Sequence, residues 1–280
     1  MRLETLSDRT VALRFSKTLC GIAGYSLGLD SRIERTVAAR ALLAGIAERG
    51  ADAVGFAFRR PSAEVTVHKQ RSGATALLER IRVPEEATQL LVHVRDYTKG
   101  HPSLTANNHP IRHGAVVGVH NGIIFNDDDL MEQHGFERAE PLMTVDSEAI
   151  FALAEAAEGV ASVLEQLNGS MATAWIDERR PGTVFLARGV GRPLWIGTGR
   201  EELFFASTKA ALEVVEKFLR LKLRKREIAE GTVVVAAEGR ELRRERFRPD
   251  RNFEERPLPA VRAPQEGLSC LRQLAALAAL

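Results

Sequence analysis

The chain has 280 residues, 45% of them hydrophobic and 27% charged, with a formal net charge of +2. That balance can fill one large or two small soluble domains and calls for neither a nucleic acid nor an anionic membrane as partner. Cys20 and Cys270 are the only cysteines, and no apolar run approaches the roughly 20 residues that span a bilayer, so a disulfide framework, a cysteine metal cluster and a membrane span are excluded.

Residues 1–19 carry scattered charge and lack the apolar stretch and small-residue cleavage site of a secretory signal. With so few cysteines, a reducing, cytoplasmic setting is the simplest expectation. Two readings of this segment stand side by side: a leader removed to expose Cys20, or an extra N-terminal strand with VALRF as its alternating part. Then comes CGIAGY at 20–25, a thiol at the start of an apolar, glycine-flanked strand. Taken alone, that hexapeptide more often marks an inert core cysteine. If Cys20 became the first residue, however, its own α-amine, with a pKa of about 7.7 to 8.0, would be a general base suited to neutral pH.

Ile33, Val37, Ala38, Leu42, Ile46 and Ala47 recur at helical spacing and Gly50 follows, which predicts a helix over 31–48. Strands are expected at 54–58, 64–68 and 89–94, a helical piece at 75–81, and, after a loop rich in Gly, Pro and Asn, a strand at 115–120. The stretch 146–158 reads as a helix. The second half is strand-dominated, at 171–176, 183–187, 193–196, 203–206, 221–228 and 232–236, with a helix at 209–219. This pattern favours an α+β layered fold over a doubly wound sheet. The basic RLKLRKRE run alternates with leucines, which suits a solvated sheet face better than a nucleic-acid site. Beyond Arg248, charge and proline suggest a linker or loose tail over 249–280, ending in a short amphipathic helix that either docks on its own domain or meets a partner.

The informative residues cluster in ordered motifs: CGIAGY at 20–25, RGADAVG at 49–55, HVRDYTKG at 93–100, NNHP at 107–110, VHNGIIFN at 119–126 and VDSEAI at 145–150. LARGVGRPLWIG at 186–197 and FFAST at 204–208 follow. In this order the chain resembles the class II, N-terminal-nucleophile glutamine amidotransferases, whose glutaminase domains occur in amidophosphoribosyltransferase and glucosamine-6-phosphate synthase. The resemblance implies a four-layer αββα sandwich over 20–248 and hydrolysis of the L-glutamine side-chain amide. It makes Cys20 the nucleophile and places Arg95 and Thr98 on the substrate α-carboxylate, Asp146 on its α-ammonium, and the Asn121 side chain and Gly122 N–H in the oxyanion hole. It calls for no metal and no organic cofactor.

Elementary chemistry is consistent with those roles. Selecting a free amino acid needs a countercharge for each α-group, and thiolate attack on an amide builds a negative oxygen that fixed donors stabilise. Each residue also has a plainer alternative: Arg95 a surface ion pair, Asn121 a turn residue, Asp146 the N-cap of the helix after it. His93, His109 and His120 are expected to pack and order loops. Three departures from the family pattern stand out: Asp96 where an aromatic is usual, Ala51 and Ala53 in RGADAVG, and nineteen residues ahead of a cysteine that the family keeps at the mature N-terminus. Since the glutaminase likeness fills nearly the whole chain, either a separate synthetase subunit receives the ammonia, which is the expectation, or the protein is a free glutaminase. The contrasting expectation is a catalytically silent relative that keeps residues 1–19 and binds glutamine as a sensor.

Overall fold

The computed structural model describes residues 20–61, 64–157, 161–254 and 263–279. Both readings of residues 1–19 therefore fall outside the described residues. Strand β1 (Gly21–Leu27) leads into α1 (Arg35–Ile46), capped by the Glu34 carboxylate, which accepts from the Thr36 and Val37 N–H groups. A 3-10 turn, Ala47–Arg49, ends that helix. The chain continues through β2 (Ala53–Arg59), β3 (Thr66–Gln70), α2 (Thr75–Leu78), β4 (Gln89–Arg95), β5 (Ile111–His113), β6 (Val116–Ile124), α3 (Asp127–Gln133) and α4 (Glu148–Ala156). Then come β7 (Gly169–Asp177), β8 (Thr183–Arg188), β9 (Trp195–Thr198), β10 (Glu202–Ala206), α5 (Lys209–Leu219), β11 (Arg224–Glu227), β12 (Thr232–Ala237), β13 (Arg240–Arg246) and α6 (Pro264–Leu277).

Among the described residues the strands form two antiparallel sheets, in the orders β11-β9-β10-β1-β4-β2-β3 and β13-β12-β8-β7-β6-β5. Apolar alternation divides their side chains among three cores. Ile22, Leu91, Val117, Val119, Ala174 and Leu186 fill the space between the sheets. Tyr25, Leu90 and Phe204 face outward under α1, α2, α5 and α6, while Trp175, Phe185 and Val233 face outward under α4. Helix, sheet, sheet and helix thus make the expected αββα sandwich. No helix among the described residues is long and apolar enough to cross a membrane.

Register brings the important strand ends together. β1 pairs with β4 with Gly21 opposite Val94, and β4 pairs with β2 with Arg95 opposite Ala53. Cys20, at the head of β1, therefore lies beside Arg95, at the tail of β4. Gly50 permits this closeness, since a Cβ there would lie 2.4 Å from the Arg95 carbonyl carbon.

Several elements differ from the sequence reading. β5 and α3 occupy stretches that the sequence leaves in loops, and β13 follows β12 where no strand is expected. β6 runs on through Asn121 and Gly122, so the HNG motif lies within a strand and not on a turn after one. Gly122 makes this possible: its φ is +151°, and a Cβ would sit 1.9 Å from the Ser170 carbonyl oxygen on β7. The tail also divides. Residues 255–262 lie outside the described residues, but α6 docks on its own domain, with Cys270 and Leu274 buried, the Ala263 N–H donating to the Glu48 carbonyl at 2.9 Å and Glu266 accepting from the Thr75 N–H at 2.9 Å.

Leu42, fully buried on α1 beneath α5 and α6, tests the outer core. Leu42→Ala should lower stability by about 2–5 kcal/mol in urea denaturation. Leu268→Ala, on the exposed face of α6, should change it by less than about 0.5 kcal/mol.

Candidate active site

Cys20 is 8% exposed and its Sγ lies 3.3 Å from the Asp96 carbonyl oxygen. Burial pushes the thiol up to about 11, against the pull of the nearby Arg95 guanidinium. At neutral pH such a thiol holds its proton and needs a base. The cysteine's backbone is also fixed: buried Arg49, in the 3-10 turn after α1, donates from Nε to the Cys20 carbonyl at 2.9 Å.

Arg95 is 2% exposed, which removes the surface ion-pair alternative. Its Nη1 donates to Asn108 Oδ1 at 2.6 Å, and its Nη2 donates to the Lys99 carbonyl at 2.8 Å and to the Gly100 carbonyl. All three acceptors are neutral, and the guanidinium has no ion-pair partner among the described residues. Burial lowers its pKa, while Cys20 and Asp146 act in the opposite sense.

Asp146 is likewise 2% exposed and lacks a cationic partner within ion-pair distance among the described residues. Its Oδ2 accepts from the Ile124 N–H on β6 at 2.8 Å. It therefore does not cap α4, whose N-cap residue is Ser147. Burial lifts its carboxyl to about 6. Two buried groups of opposite charge, each solvated only by neutral dipoles, thus lie within electrostatic reach of one thiol.

Asn121 is wholly buried on β6 opposite Ala172, and Gly122 is opposite Met171. Thr98 is half-buried on the loop after β4. Cys20 and Arg95 thus meet where β1 begins and β4 ends, the His93–His120 contact sets β6 against that part of β4, and Asp146 is bonded to β6 through Ile124.

The histidines sit behind that centre. His93 and His120 are both held down to about 3 by burial, and His109 stacks on His93 with ring centroids 4.1 Å apart. His93 Nε2 lies 3.1 Å from the His120 carbonyl, one residue before Asn121. Among the described residues no group of three or more His, Cys, Asp or Glu is placed to hold a metal ion.

Sequence reasoning assigns no role to Arg49, Asp52, Lys99, Asn107 or Asn108, although all lie within its motifs. Asp52 ties two of those motifs together, its N–H donating to the Arg95 carbonyl at 3.0 Å and its Oδ2 accepting from the Tyr97 N–H at 2.9 Å. Asp96, at the usual aromatic position, supplies the carbonyl beside Cys20, and its carboxyl is raised to about 6 by burial and by Asp52.

Residues 94–214 match the family described as a glutamine amidotransferase domain. The isomerizing glutamine–fructose-6-phosphate aminotransferase of Shigella flexneri is 32% identical over 218 residues, covering 73% of this chain and 34% of that protein. Its counterpart in Shouchella clausii is 29% identical over 216 residues, covering 72% and 34%. The chain thus spans about a third of the length of the curated relatives it matches. In fold it is similar to the glutamine phosphoribosylpyrophosphate amidotransferase of B. subtilis, with a TM-score of 0.64 at 20% identity over 81% of this chain and 49% of that one. A structure described as the allosteric regulatory enzyme of purine biosynthesis gives a TM-score of 0.65 at 20% identity, with the same coverage. The family match and the curated relatives agree that the chain carries a glutamine amidotransferase domain, and the solved amidotransferase structure shares its fold.

Proposed function

We propose that this chain hydrolyses the side-chain amide of L-glutamine to glutamate and ammonia through a thioester on Cys20. One observation carries the reading: buried Arg95 and buried Asp146, opposite in charge and with no ion pair among the described residues, both act electrostatically on the Cys20 thiol. A free α-amino acid brings a carboxylate and an ammonium at one end, so it would neutralise both charges at once. Thr98 would donate its hydroxyl to the same carboxylate.

With the amino-acid end held, the side-chain amide reaches Cys20. Removal of residues 1–19 frees an α-amine, whose pKa of about 7.7 to 8.0 equips it to take the thiol proton. The sulfur attacks the amide carbon, and the Asn121 side chain and Gly122 N–H stabilise the oxyanion, each such donor contributing about 2.7–4 kcal/mol. The amine returns its proton to the leaving nitrogen, ammonia departs, and water cleaves the thioester to release glutamate. In this reading residues 20–248 form the glutaminase unit, residues 1–19 a leader and residues 249–280 a tail. The ammonia passes to a separate synthetase subunit.

A second reading has its own support. While Cys20 remains in a peptide bond, its nitrogen is no base and its thiol stays protonated near neutrality. A chain that retained residues 1–19 would then bind glutamine without turning it over.

Intact-mass measurement separates the two, because the active enzyme begins at Cys20 and Cys20→Ala releases no ammonia from glutamine. An active chain starting at Met1, or ammonia release by Cys20→Ala, contradicts the mechanism. Asp146→Asn and Arg95→Met should each weaken glutamine binding by roughly 2–5 kcal/mol with little change in Cys20 alkylation by iodoacetamide. Because glutamine needs the Asp146 carboxylate ionised, KM should rise as pH falls through about 6, and Asp146→Asn should abolish that rise.

A further inference from the structure

The loop after Arg95 is fastened by a residue to which the mechanism assigns no part. Lys99 Nζ lies 2.8 and 2.7 Å from the two oxygens of Asp127, at the start of α3, and 2.7 Å from Asp128 Oδ2. Asp127 is 1% exposed, so the pair is shielded from water on the aspartate side, while the Lys99 side chain is 35% exposed. Arg138 donates to both of those aspartates, to Glu148 and to the Val145 carbonyl. Asn107 adds a second tie, its Oδ1 accepting from the Thr144 and Val145 N–H groups at 2.8 and 3.1 Å. The same network thus holds the loop that receives Arg95 and the residue that precedes Asp146.

Lys99 acts in two directions. Its carbonyl accepts from Arg95 Nη2, while its ammonium neutralises Asp127. Asp146 faces Arg95 from β4, Cys20 from the head of β1, Lys99 from the loop and Asp127 from α3, with Arg138, Glu148 and His113 linked behind them. Of the two neighbours in the network, Asp127 opposes ionisation of Asp146 and Lys99 favours it.

We propose that Lys99 is a positioning residue that couples the two ends of the cleft, seating Arg95 through its carbonyl and shielding the Asp146 carboxylate from Asp127 through its ammonium. The coupling stands on this geometry; its effect on glutamine rests on the function proposed above.

The test is a ¹³C-carboxyl titration of Asp146 by NMR, assigned with Asp146→Asn, in Lys99→Met, Lys99→Arg and Asp127→Asn. The midpoint should move up in Lys99→Met by roughly half a pH unit or more, move down in Asp127→Asn, and stay close to wild type in Lys99→Arg. In parallel, the ratio of the glutamine KM at pH 6 to that at pH 8.5 should rise in Lys99→Met, by about fivefold if the midpoint climbs from about 6 to about 7, and fall in Asp127→Asn. A merely structural role would raise KM equally at both pH values and leave the midpoint in place. Midpoints that do not move, or that move the same way in Lys99→Met and Asp127→Asn, overturn the coupling. Opposed movements in a protein that does not turn glutamine over uphold the coupling and defeat the function proposed above.

Discussion

The arrangement depends on a guanidinium buried without a counter-ion among the described residues. Taking an ion out of water costs several kcal/mol even after the surroundings relax, and a protein usually offsets that with an opposite charge. Arg95 instead receives two carbonyls and an amide oxygen, which hold it in place and leave its charge uncompensated by any ion pair among the described residues. Asp146 mirrors it, accepting one backbone N–H and rising to about 6. Two such groups, close enough to influence each other yet not paired among the described residues, are what the proposed binding of a zwitterion rests on.

The fold creates this arrangement by the way its strands end. Antiparallel pairing of β1 with β4 sets the head of one against the tail of the other, and the close approach at Gly50 lets the chain after α1 pass the Arg95 backbone. β6, in the second sheet, meets β4 where His93 Nε2 lies against the His120 carbonyl, just before Asn121 and Gly122. Behind them, burial keeps His93 and His120 neutral at physiological pH, so they bring no charge to compete with Arg95 and make only weak bases. That is why the proposed chemistry turns to the α-amine of Cys20 itself.

Much of this is legible in the sequence, and the failures have physical causes. Helix α5 can be read over 209–219 because its apolar face repeats at helical spacing and Thr208 caps it, accepting from the Ala211 N–H. β13 escapes such a reading because RELRRER offers no apolar face; it is an edge strand lined with arginine, whose pairing with β12 supplies the order that its side chains do not. β6 reads as too short because HNG looks like a turn, whereas Gly122 stays extended against β7. Ordered motifs single out the six proposed site residues. Lys99 lies inside one of those motifs, but its partners Asp127 and Asp128 are far along the chain and only the tertiary fold joins them.

The central claim is that opposite charges at Arg95 and Asp146 deliver a side-chain amide to Cys20. It is tested most directly by reacting the mature protein with a diazoketone analogue of glutamine and solving the structure of the adduct. The account predicts one equivalent bound to the Cys20 sulfur, with the α-carboxylate against Arg95 and the α-ammonium against Asp146. An adduct on Cys20 whose amino-acid end lies away from both residues, or reaction elsewhere with Cys20 untouched, would contradict it.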